Sequence, residues 1–135
     1  MATAVNQLVV ARDAGKRRPI RLANAAHIYQ GTLVFAAADG FATETEGGGP
    51  FLGVAVGEYD NSSGVDGDVN GEVYTEGSFE LPFSAGDASQ AIVGDAAYAV
   101  DNFDVDDAST NNTRIGNFSR FISASKVEVE IEVCQ

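Results

Sequence analysis

The sequence predicts an all-β fold: a small single-domain β-barrel or sandwich of short strands with long polar loops. Three observations carry this. β-branched Val and Ile number 21 against 5 Leu, and such side chains suit a pleated surface better than a helix. Gly makes up 15 of the 135 residues, above the ~7% typical of proteins, and marks many turns. The last stretch alternates Val127, Val129, Ile131 and Val133 with Glu128, Glu130 and Glu132. A period of two puts the apolar side chains on one face and the three carboxylates, pointing outward, on the other.

Residues 7–12 and 18–23 are short strand candidates, and in the second Ile20 and Leu22 alternate with Arg21. Residues 27–29 form a strand or a turn. Residues 32–37, 51–58, 72–81, 96–100 and 114–123 read as strands, and 127–133 closes the series. Clusters of Gly, Asn, Asp and Ser at 47–50, 60–71 and 101–112 separate several of them. The Ala-rich pieces 23–26 and 85–91 have room for a single helical turn each. No segment sustains a 3.6-residue period.

Charge divides the chain. Twenty acidic and eight basic residues give a net charge of −12, which argues against nucleic acid or an anionic membrane as the main partner. Residues 1–21 form a basic arm, with Arg12, Lys16, Arg17, Arg18 and Arg21 against Asp13 alone. Residues 22–135 form an acidic β-domain, and from Leu22 to Thr113 there is no Lys or Arg. Stability there must come from apolar burial and backbone pairing, against self-repulsion. The longest apolar run, Leu33 to Ala38, is far shorter than the ~20 residues that span a bilayer. The first residues show no signal-peptide pattern. Cys134 is the only cysteine, which excludes an intramolecular disulfide and a thiolate metal cluster.

Little of the chain points to reaction chemistry. Asp66, Asp68 and Asn70, followed by Gly71, are spaced like the start of a calcium loop, but the twelfth position is Gly77 where a Glu is needed. A turn built from Asx and Gly residues is the favoured reading, and a calcium-dependent binding module is an alternative. His27 is the only imidazole, and no Gly-x-Ser-x-Gly elbow or phosphate loop accompanies it. No catalytic residue, metal ligand or cofactor is assigned. Three Asn-x-Ser/Thr triplets begin at Asn61, Asn111 and Asn117, a short and frequent motif. Phe79, Phe83, Phe118 and Phe121 read as core fillers or, in second place, as oligomer-interface residues.

The order of several short segments resembles the small capsid cement (head decoration) proteins of tailed bacteriophages. The matching pieces are GTLVF from Gly31, FLGVAVG from Phe51, EVYTEGSFELP from Glu72, IVGDAAY from Ile92, IGNF from Ile115 and the final Val127–Val133 stretch. The pieces run from Gly31 to Val133, and the resemblance spans about residues 5–133. The loops 59–71 and 101–113 are longer than in compact members, and Lys16–Arg21 matches no family motif. The resemblance implies a β-tulip-like body, a homotrimer, and a place on the outer surface of the capsid. There the protein would tie major capsid protein subunits together without catalysing a reaction. A tail or baseplate component is the alternative structural role.

In the cement reading the basic arm supplies part of the capsid contact. Val5, Leu8, Val9 and Val10 add a strand to a capsid loop, while Arg12, Lys16, Arg17, Arg18 and Arg21 pair with shell carboxylates. The opposing expectation is a frayed terminus. Neither nucleic acid nor membrane is an expected partner.

Overall fold

The computed structural model describes residues 16–45, 49–107 and 113–133. In chain order the strands are β1 (Arg17–Arg21), β2 (His27–Ile28), β3 (Leu33–Ala36), β4 (Ala42–Thr43), β5 (Phe51–Ala55), β6 (Tyr59–Asp60), β7 (Asn70–Tyr74), β8 (Ser78–Pro82), β9 (Ala96–Ala99), β10 (Val105–Asp106), β11 (Thr113–Ser123) and β12 (Lys126–Ile131). A single 3-10 turn at Gln90–Ile92 is the only helical piece among the described residues. The predicted all-β class therefore holds.

Two five-stranded antiparallel sheets stack face to face, in the orders β1-β7-β5-β3-β4 and β10-β9-β11-β12-β8. Leu33, Phe35, Phe51 and Val54 of the first sheet meet Phe79, Leu81, Phe118, Val127, Val129 and Ile131 of the second in one core. The opposite face of the first sheet is also covered. Ile20, Val34, Ala55 and Val73 pack there against Leu22, Ala26 and Ile28, and the pair β2-β6 completes the layer. Burial on both faces explains why β3 reads as an unbroken apolar run while β12 alternates. Each sheet also curls until its outer strands touch. Leu22 bridges Ala42 in parallel at one seam, and Phe83 bridges Val105 at the other.

Several sequence expectations change. The predicted strand 72–81 is two strands in different sheets, broken at Gly77, whose φ is 123°. Three of the four two-residue strands described, β4, β6 and β10, were not predicted, because they carry too little sequence to show a period. Residues 23–26 form a turn rather than a helical one, with Ala25 at φ 65°. The last strand is internal, paired with β11 and β8. Glu130 and Glu132 face solvent as predicted, but Glu128 is buried, at 6% exposure. Beside it β11 bulges: pairing jumps from Phe118–Val129 to Arg120–Glu128, leaving Ser119 extra. The Ser119 hydroxyl donates to the Glu128 carbonyl (3.2 Å) and Oε1 (3.3 Å).

Candidate docking surface

Among the described strands β1 is the outer one of its sheet, and its pairing with β7 makes it part of the body rather than of a separate arm. The hydrogen bond from Thr75 N–H to the Lys16 carbonyl (2.8 Å) and that from Leu22 N–H to the Val69 carbonyl (2.9 Å) set its phase. In an antiparallel ladder the bonded pairs alternate. Arg18 and Ile20 therefore pair inward to β7, whereas Arg17, Pro19 and Arg21 turn their backbone groups outward. Pro19 lacks an N–H, so the open edge cannot template a continuous added strand. Of the predicted capsid-contact residues, Lys16, Arg17, Arg18 and Arg21 sit on or beside this strand, all exposed. Val5, Leu8, Val9, Val10 and Arg12 lie outside the described residues.

The electrostatics of β1 are unusual for so acidic a chain. Lys16 lies 3.8 Å from Glu76, both well exposed. The other described ion pairs join Arg114 to Glu132 (2.6 Å) and His27 to Glu58 (2.7 Å). Arg17 lies over the Tyr74 ring at 5.3 Å, and Arg21 reaches the Gly67 carbonyl at 3.5 Å. Among the described residues, Arg17, Arg18 and Arg21 make no ion pair.

Beside them is a groove of about 350 Å³, where β1 and β4 diverge from the Leu22–Ala42 bridge. Ile20, Ala42 and Leu52 give it an apolar lining. Arg18 and Arg21 enter from β1, and Asp39 and Phe41 from the β3–β4 turn. A second depression lies by the same turn, between Ala37, Thr43 and Pro50, with no charged lining among the described residues.

The other candidates resolve into structural roles. The Asp66 carboxylate accepts from Asn24 N–H (2.7 Å) and Asp68 from Val65 N–H (3.1 Å), as an Asx-rich turn requires. No group of three or more potential metal-ligating His, Cys, Asp or Glu side chains occurs among the described residues. His27 stacks on Tyr29 with centroids 4.2 Å apart, and its backbone N–H donates to Glu44 (3.0 Å). The Ser62 hydroxyl and N–H hold the Asp60 carboxyl below its ordinary range. Asn61, in one of the glycosylation triplets, is 2% exposed. Its amide donates to the Ala23 and Val65 carbonyls (both 2.9 Å) and pins the 60–71 loop to the 22–26 segment. Nothing in the sequence distinguished it from the surrounding turn residues.

Phe79, Phe83 and Phe118 are corrected as oligomer-interface candidates. They are 1–3% exposed in the single chain and belong to the inter-sheet core. Phe121 is partly buried against that core.

One acidic corner is under electrostatic stress. Burial, and then the neighbouring Asp101 and Asp106 carboxylates, raise the Asp104 carboxyl above 3.8, and its Oδ1 is buried without a hydrogen-bond partner. A raised carboxyl means that folding favours the protonated form. Its contribution to stability is whole below 3.8 and is lost as pH rises through the folded-state value. Asp104→Asn is expected to raise the melting temperature by a few degrees at neutral pH. The gain should vanish well below pH 3.8. Thermal unfolding of both proteins at the two pH values checks this.

Comparison with known proteins adds no assignment: no protein-family model matches the chain, and no curated protein is detectably similar to it.

Proposed function

We propose that the chain is a non-enzymatic cement protein of a tailed-phage head. It attaches as a homotrimer to the outer capsid surface and ties major capsid protein subunits together. The observation that supports this reading is the exposed strand of arginines, without ion pairs among the described residues, on an otherwise acidic all-β body. Adhesion needs a packed body, a contact surface and symmetric copies, and no reaction. Three copies related by a cyclic axis present three identical contacts to the shell. Once one contact forms, each further link becomes effectively intramolecular and adds about 10²–10⁴ in avidity. The acidic remainder of the surface faces solvent and keeps particles apart.

The test pairs light scattering with co-sedimentation on expanded empty heads of the phage that encodes the chain. Trimer mass and saturable attachment are expected. Deletion of residues 1–15 leaves β1 whole and is expected to weaken attachment. A lone subunit that ignores heads would overturn the reading, and localisation to tails by electron microscopy would replace it with a tail or baseplate role.

A further inference from the structure

We propose that the groove between β1 and β4 seats a short acidic segment of a partner protein. An aliphatic side chain lies on Phe41 and Leu52, and a neighbouring carboxylate is held by Arg18, with Arg21 adding its charge from the other face of β1. Three features select this occupant. First, Arg18 and Arg21 line the groove and pair with no carboxylate among the described residues, so a ligand carboxylate displaces no ion pair described there. Second, Phe41 and Leu52, the partly exposed apolar residues of the lining, stay in contact with water until an aliphatic group covers them. Third, Asp39 faces the arginines across the groove and the molecule carries a net −12. Together these disfavour dense polyanions and select an isolated carboxylate on an apolar segment.

Pro19 shapes the contact. Because it interrupts the outward edge of β1, a bound segment cannot be held along its length as an added strand. Recognition falls to side chains, and a charge-assisted pair to guanidinium is the strongest component available. Long-range repulsion between two acidic molecules decays over a Debye length of about 8 Å at physiological salt, so the local pairs decide the outcome at contact.

That the partner is the major capsid protein rests on the reading above; the chemistry of the groove does not. The probe is the peptide acetyl-Glu-Leu-Glu-Val-Glu-amide, titrated into the full chain and followed by backbone and side-chain NMR. Saturable shifts are expected at Arg18, Ile20, Arg21, Ala42 and Leu52, weakened about tenfold or more in Arg18→Glu/Arg21→Glu. The charge-reversed peptide, with Lys in place of Glu, is expected to shift the groove residues of that variant and not those of the native chain. This recovery shows that the variant is folded. Equal binding to both proteins, shifts elsewhere only, or the same shifts from inorganic phosphate at matched ionic strength would overturn the proposal. Attachment to heads without a groove response would sink the groove and keep the cement reading. A groove response without attachment would do the reverse.

Discussion

Gly53→Ala is expected to lower the melting temperature by about 10 °C or more, from a cost of about 3 kcal/mol or more. Gly53 lies in β5 at φ 147°, a region that L side chains rarely adopt. A Cβ there would stand 2.3 Å from the Tyr74 carbonyl oxygen and 3.0 Å from the Val73 Cβ. Both neighbours belong to β7, paired with β5, so the backbone itself would have to move. Strain of about 1–3 kcal/mol and overpacking of similar size then add, against a total stability of about 5–15 kcal/mol. Gly94→Ala is the control. It too has a positive φ, 94°, but its added Cβ meets nothing within 4 Å. It should lose only about 1 kcal/mol, the backbone component alone. Equal losses in the two variants would show that the close approach of β7 contributes nothing.

Phe118→Ala is expected to cost about 3–5 kcal/mol, the range for emptying a large aromatic site in a packed core. Phe118 is 1% exposed, and its ring lies 5.9 Å from that of Phe83, tilted by 59°. It packs in the core between the two sheets. Burial inside one chain predicts a loss that does not depend on protein concentration, measured by urea unfolding across a dilution series. Phe121→Ala, at a partly buried site, should cost less. If Phe118→Ala kept its stability and lost only self-association, the ring would belong to an interface after all.

The strands legible in the sequence were those long enough to show a period. β12 announced itself through four apolar residues at alternate positions, and all four lie in the inter-sheet core. β3 and β5 were visible as apolar runs bounded by glycine. The two-residue strands β4, β6 and β10 were invisible because no period fits in two residues, and for the same reason β2 read only as a strand or a turn. The division of 72–81 was hidden because Val73, Phe79 and Leu81 keep the same parity through Gly77, so alternation alone cannot reveal a change of sheet.

The candidate site was half legible. Its charges were plain, since the basic residues before position 22 are followed by none until Arg114. The groove was not, because Asp39, Phe41 and Leu52 join Arg18 only when β4 curls round to meet the segment after β1 at Leu22. Asn61 looked like any loop asparagine until its carbonyl partners came from a segment nearly forty residues earlier.

By itself the sequence determined the β class, the acidic body with its basic beginning, and the inward face of the last strand. Those follow from local side-chain size, charge and period, which act over a few residues. The tertiary structure alone decided which sheet each strand joins, that Phe79, Phe83 and Phe118 lie inside, and that a groove opens beside the arginines. These are set by contacts between distant segments, where register, bulges and the curl of each sheet choose among partners that local pattern leaves equivalent.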